Sequence, residues 1–198
     1  VGRAVARGLN EERLRAQREE IKALNQHLAP FHIFTGVELD IRADGHLDFP
    51  DAVLSELEIV VASVHSAMGQ DKETMTQRLL QAIRNPHVDI IAHPTCRLLG
   101  EREPIEVDME AVFKAAAAAG TALEINSMPQ RLDLKDAHVQ RARELGVKLA
   151  VSTDAHRVDH LGLMRFGVGV ARRGWCQAEH LLNSRPLAEL AAFLGRRS

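Results

Sequence analysis

The chain has 198 residues, 45% of them hydrophobic and 26% charged, with 25 Lys+Arg against 27 Asp+Glu for a formal charge of −2. These are the proportions of one globular domain and exclude a disordered, collagen-like or mucin-like chain. The near-neutral balance excludes a strong overall pull toward nucleic acid or an anionic membrane, though not a local basic patch.

Residues 10–27 read as a helix, with Asn10 as its cap, a stripe of Leu14, Ile21, Leu24 and Leu28, and Pro30 as its stop. Residues 32–39, HIFTGVEL, are short and β-rich, and residues 58–64, EIVVASV, form a clearer strand. A helix over 72–84 stops before Asn85-Pro86, and 88–92, VDIIA, is a buried type of strand. Asp108 caps a helix that runs through the alanines 115–119 to Gly120. TALEI (121–125) is a strand, 135–145 a helix closed by Gly146, and VKLAVS (147–152) a strand. Helices follow near 158–165, 177–183 and 186–194, and FGVGV (166–170) reads as a last short strand. Alternation of short apolar strands with amphipathic helices is the mark of βα units and a mostly parallel sheet. No apolar run approaches the roughly 18–20 residues that span a bilayer, and the opening VGRAVARGLNEERLRAQREE is too charged for a signal-peptide core. Cys96 and Cys176 lie far apart with no CxxC, which suits a reducing cytoplasm.

In parallel α/β folds chemistry gathers where the strands end. Glu38 follows HIFTGV, His65 follows EIVVASV, His93 follows VDIIA, and Asp154 and His156 follow VKLAVST. A single histidine at a strand end is usually structural, whereas four strands ending in an imidazole or a carboxylate form a pattern. Mixed N/O ligands without cysteine suit Zn²⁺, Mn²⁺ or Fe²⁺ at a catalytic centre. The spacing of Asp154 and His156 puts both on one side of an extended segment. A carboxylate at Glu38 has two oxygens with which to bridge two metals, an arrangement suited to phosphate-ester hydrolysis.

Other chemistries fit less well. No GxSxG elbow exists, and Ser66 beside His65 is a poor substitute. Cys96 reads as a small buried residue, Gly167-Val168-Gly169 lacks the rest of a dinucleotide fingerprint, and Trp175 reads as core or interface. His27, His32, His46, His87, His138, His160 and His180 read mostly as surface, with His160 nearest the rim of the site.

Glu38 in GVELDI, His65 in SVHS, His93 in AHP, and Asp154 with His156 in STDAH resemble the later metal-binding motifs of PHP (polymerase and histidinol phosphatase) domains. The likeness extends over nearly the whole chain. DIRADGHLDFPD, RLLGEREPIEVD and LEINSMPQRLDL are most similar to the PHP domain at the C-terminus of bacterial family X DNA polymerases. The resemblance implies a distorted seven-stranded, TIM-like βα barrel with up to three Mn²⁺ or Zn²⁺ ions at its mouth. It implies that Glu38 bridges the first two ions, that His65 and His93 complete the second site, and that Asp154 and His156 serve the first and third. The HxH strand and the TDH-like segment of such domains are missing. Residues 1–198 are therefore expected to form one PHP domain without its first strands, the C-terminal portion of a longer polymerase chain, and weak or inactive alone.

The activity implied is Mn²⁺-stimulated 3′–5′ exonuclease or other DNA-end processing in repair, with DNA 3′ ends, gapped or single-stranded, as partner beside the polymerase domains of the same parent. A bacterial cytoplasm is the implied location, with no membrane partner. Arg97, Asn126 and Arg131 are candidates for binding the substrate phosphate, Arg97 foremost because it shares a loop with His93. The competing readings are a small-molecule phosphatase of the histidinol phosphatase type and a catalytically silent structural module.

Overall fold

A computed structural model describes residues 9–195. Five parallel strands lie in chain order across one sheet: β1 (Gly36–Asp40), β2 (Ile59–Ser63), β3 (Ile90–Ile91), β4 (Ala122–Asn126) and β5 (Leu149–Ser152). Around them run α1 (Glu11–Leu28), α2 (Asp51–Leu54), α3 (Lys72–Arg84), α4 (Met109–Ala119), α5 (Asp136–Glu144), α6 (Met164–Arg173) and α7 (Leu187–Leu194). No described helix is long and apolar enough to cross a membrane.

Local chemistry sets the helix ends. Asn10, Asp71 and Asp108 each accept a backbone N–H three residues on, from Arg13, Thr74 and Ala111, which satisfies a donor the first turn leaves free. Gly120 closes α4 at φ 72°, a left-handed conformation that costs an L side chain about 1–2 kcal/mol and glycine almost nothing.

The register sorts the strands into two faces. Side chains alternate along a strand, and paired residues of parallel strands share a face. Leu39, Val60, Ala62, Ile91, Leu123, Ile125, Leu149 and Val151 therefore form one apolar surface, which packs on Leu14, Met75, Ile83, Val112, Phe113, Val139 and Ala171 of the helices. The opposite face divides along its length. Near the start of the strands, Ala122 and Ala150 pack on Leu182, Phe193 and Leu194, with Phe34, Ile59 and Ile90 around them. Toward the carboxyl ends the same face carries Glu38, Asp40, Ser63, Glu124, Asn126 and Ser152.

The structure departs from the sequence reading in several places. Residues 166–170 are helical, within α6, and the described residues hold five strands where six were expected. Gly167, Val170 and Ala171 are its buried residues, a helical spacing that the alternation of Val and Gly obscured. A Cβ at Gly167 would overlap the Ser127 hydroxyl and lie 2.6 Å from a Val151 methyl, so this glycine lets the helix close onto β4 and β5. The segment 177–183 forms two short 3₁₀ turns, and 158–163 another that leads into α6. Residues 32–35 lie outside any strand, with the Ile33 backbone bonded to the Asn25 side chain and the Thr35 N–H to Glu58, and Trp175, read as core or interface, is 71% exposed and so not core.

The β1–β2 register rests on Gly36, whose added Cβ would lie 2.6 Å from the Ile59 carbonyl oxygen. Gly36→Ala is expected to cost about 1–3 kcal/mol in urea unfolding. Gly69→Ala, which meets no atom within 4 Å, is expected to stay within about 0.5 kcal/mol of the parent. Equal unfolding midpoints for the two variants would contradict this register.

Candidate metal centre

Glu38 projects from the middle of β1 on the polar face, while His65 and His93 each stand two residues beyond the end of a strand. One ligand atom from each of the three lies within 4.8 Å of the others. The Glu38 Oε1 is 3.1 Å from His93 Nε2 and 3.4 Å from His65 Nε2, and it accepts the Ser63 hydroxyl at 2.8 Å. The two imidazole rings meet edge to face at 5.3 Å.

The backbone around each histidine is fixed by a carboxylate. Asp40, at the end of β1, accepts the His65 N–H at 3.0 Å and the Ser66 hydroxyl at 3.2 Å. The buried guanidinium of Arg78 on α3 ties down the same loops, donating to the carbonyls of Ile41 and, at 3.0 Å, of Ser66 and to the Gln70 side chain. Burial lowers the Arg78 pKa, and the charge of Asp40 works against that shift. On the other side, Glu124 of β4 accepts the His93 N–H at 2.6 Å. His93 occupies a left-handed conformation, φ 31°, as do Cys96 at 54° and Asp154 at 51°.

Proton affinities are strongly displaced. Burial acts to raise the Glu38 pKa, but hydrogen bonds with His65 and His93, the charge of His93 and the Ser63 hydroxyl hold it well below the usual carboxylate range. Burial acts to lower the His93 pKa, and contacts with the Cys96 thiol and Glu38, together with the charge of Glu124, push it up to about 10. Burial raises the pKa of Glu124 and of Asp133.

Asp154 and His156 form a second group, outside the close triad. Asp154 accepts the Asn126 amide at 3.2 Å and lies 3.5 Å from Arg131 Nε. His156 is largely exposed; its Nδ1 sits 2.8 Å from the Asp154 carbonyl oxygen, and its backbone N–H donates to His160 Nδ1 at 3.3 Å. Arg97 points its guanidinium at the carbonyls of Arg131 and Leu132, so it braces the neighbouring loop. Arg131 keeps a buried Nη1 without a hydrogen-bond partner among the described residues. Asn126 is fully buried, with its amide shared between Glu124 and Asp154 and its oxygen accepting the Met128 N–H.

Sequence reasoning missed Asp40, Arg78 and Glu124. Glu124 sits inside the run TALEI, two residues before Asn126 and hence on the same face of the strand, which was its available signal.

Two imidazoles and a carboxylate, each with one donor atom converging on a common point, form a donor set that fits a divalent cation such as Zn²⁺ or Mn²⁺.

No family model matches the chain. Over 192 residues it is 47% identical to the DNA polymerase/3′-5′ exonuclease PolX of Bacillus subtilis, an alignment that covers 97% of this chain and 34% of that protein. The chain thus spans about a third of the length of that relative. It is 33% identical over 175 residues to a protein named "Probable phosphatase" in Thermoanaerobacter sp. strain X514, covering 83% of this chain and 69% of the other. Histidinol phosphate phosphatase from Lactococcus lactis, solved with zinc, L-histidinol and phosphate, shares the fold with a TM-score of 0.57 at 17% identity, over 86% of this chain and 76% of its own. Parallel βα topology, imidazoles and carboxylates gathered at the strand ends, and relatives matched over 97% and 83% of this chain lead to one assignment: the chain belongs to the PHP (polymerase and histidinol phosphatase) family.

Proposed function

We propose that this chain is a metal-dependent phosphoesterase domain of the family X polymerase type, acting on DNA 3′ ends as a 3′–5′ exonuclease. The observation that carries the reading is the convergence of Glu38, His65 and His93 on one point. The 47% identity to a protein named as a polymerase and exonuclease, across 97% of this chain, favours DNA as the substrate class. In this reading residues 1–198 make one domain that works beside polymerase domains of a longer chain, in a bacterial cytoplasm.

Glu38, His65 and His93 would hold one divalent cation, Mn²⁺ or Zn²⁺, and Asp154 and His156 would serve further ions. Such a cation supplies Lewis acidity toward a phosphoryl oxygen and lowers the pKa of a nearby water. The chain's own groups do the rest. Ser63 aims the Glu38 carboxylate by donating to it, and Asp40 fixes the His65 backbone. Arg131, beside Asp154 at the mouth, has the planar donors that suit a phosphate and stabilise charge that grows during displacement. Arg97 acts by bracing the Arg131 loop through its carbonyls.

A second reading is a small-molecule phosphatase, favoured by the 33% identity to a protein named as a phosphatase over 69% of its length. A labelled single-stranded oligonucleotide and a phosphorylated amino alcohol, each incubated with Mn²⁺ and the longer polymerase chain that carries this domain, separate the two. Shortening of the oligonucleotide from its 3′ end is expected; release of phosphate from the amino alcohol alone would put the second reading in place of the first.

Metal binding is testable without turnover. Calorimetric titration with Mn²⁺ is expected to show binding by the parent chain and its loss in Glu38→Gln and in His93→Ala. Retained binding in both variants would remove the metal assignment. A protonated His93 cannot ligate, and its proton is held until about pH 10, so metal competes with a proton throughout the neutral range. Mn²⁺ affinity is therefore expected to rise as pH increases from 6 to 9, with proton release visible as a dependence of the heat on buffer ionisation enthalpy. A pH-independent heat and affinity would mean that His93 is not displaced from its proton by the ion.

A further inference from the structure

Between the close triad and the Asp154 group stands a carboxylate that neither set of ligands includes. Glu124 is 5% exposed and receives three donors. Its Oε2 accepts the His93 backbone N–H at 2.6 Å and the Asn126 amide at 3.2 Å, and its Oε1 accepts the Ser152 hydroxyl. Asn126 passes the connection on, donating also to Asp154 Oδ2 at 3.2 Å. An unbroken line of direct hydrogen bonds thus runs from the backbone of His93 through Glu124 and Asn126 to the side chain of Asp154.

Both ends of that line need holding. His93 and Asp154 are in left-handed conformations, φ 31° and 51°, where an L residue stays only if its surroundings over-determine it. The middle is rigid, because Glu124 and Asn126 share one face of β4, in register with Ala150 and Ser152 of β5. Binding constellations tolerate displacements of only about 0.5 Å, so a backbone shift at His93 would carry its ring off the point that Glu38 and His65 define.

We propose that Glu124 is a positioning residue, which with Asn126 sets the separation between His93 and Asp154 and so the geometry in which the site takes up metal. This rests on the metal-site reading above. It also gives Asn126 an inward role, since its polar atoms are engaged by Glu124, Asp154 and Met128.

A purely structural role, the pinning of three strands together, makes a different forecast. The test is Mn²⁺ affinity, read from the electron paramagnetic resonance of free Mn²⁺ during titration, beside thermal unfolding of the same samples. Glu124→Ala is expected to weaken Mn²⁺ binding by about 10- to 100-fold, the usual effect of losing an outer partner of a metal ligand. Glu124→Gln is expected to recover affinity to within a few-fold. Its amide oxygen can still accept from His93 and Asn126, while the Ser152 hydroxyl turns to accept from the amide nitrogen. Leu123→Ala, on the apolar face of the same strand, is expected to lower the unfolding temperature while leaving Mn²⁺ affinity unchanged.

Asn126→Ala serves if Glu124→Ala does not fold: it leaves His93 held and cuts only the link to Asp154, so a smaller loss of affinity is expected. Wild-type Mn²⁺ affinity in Glu124→Ala, or in Asn126→Ala where only that variant folds, would overturn the positioning role. His93→Ala distinguishes the two levels. If it too binds Mn²⁺ like the parent, the metal-site reading itself has failed; if it abolishes binding while Glu124→Ala does not, only the positioning proposal has.

Discussion

Buried carboxylates that accept backbone N–H groups hold this architecture in place. Asp89 receives the N–H of Val60 at the start of β2, Asp40 that of His65, Glu124 that of His93, and Asp133 that of Thr95. Each of the four is at most 9% exposed. Taking a carboxylate out of water costs several kcal/mol unless hydrogen bonds replace its hydration. The cost shows in the upward pKa shifts of Glu124 and Asp133. In return the loops leaving β2 and β3 have little freedom. A carboxylate accepts several donors at once and donates none when ionised, so it imposes one arrangement on the N–H groups around it.

That constraint explains why two histidines two residues past their strands can meet a glutamate in the middle of a third. The polar face continues an apolar one: Glu38 is in register with Val61 and Ile90, and Ile90 and the earlier Ile59 pack toward Phe193 and Leu194. The apolar half excludes water from beneath the site, which strengthens the interactions among the charged groups above it. One sheet face thus packs apolar side chains toward its amino end and gathers carboxylates and other polar groups toward its carboxyl end.

Much of this was legible in the sequence, for a physical reason. Parallel strands that end at the same edge deliver their last and next residues to the same place. The imidazoles and carboxylates bounding the apolar runs, Glu38, His65, His93, Asp154 and His156, therefore stand out together. The helix caps Asn10 and Asp108 bond as their residue types allow. The features that stayed hidden depend on register. Glu124 looks like one polar residue inside TALEI until β4 is aligned between β3 and β5. Arg78 looks like an ordinary helical surface charge until α3 is docked and its guanidinium reaches the carbonyls of Ile41 and Ser66. The run FGVGV mimics a strand because β-branched residues and glycines alternate there; only contact with Ser127 and Val151 shows why a helix needs Gly167.

The unequal exposure of the three close ligands bears on how the site fills. The His93 side chain is 2% exposed, against 28% for His65 and 37% for Glu38. In the proposed metal-site reading, an incoming cation meets Glu38 and His65 first and reaches His93 last. In that reading Glu38, whose pKa is held well below the usual carboxylate range, draws the ion in, and the ion takes the place of a proton on His93. The His93 backbone, at φ 31°, is held there by its N–H bond to Glu124, so in that reading this side chain is set in place before the ion arrives. The hydrogen bond from buried Glu124 thus acts on the member of the triad that solvent reaches least.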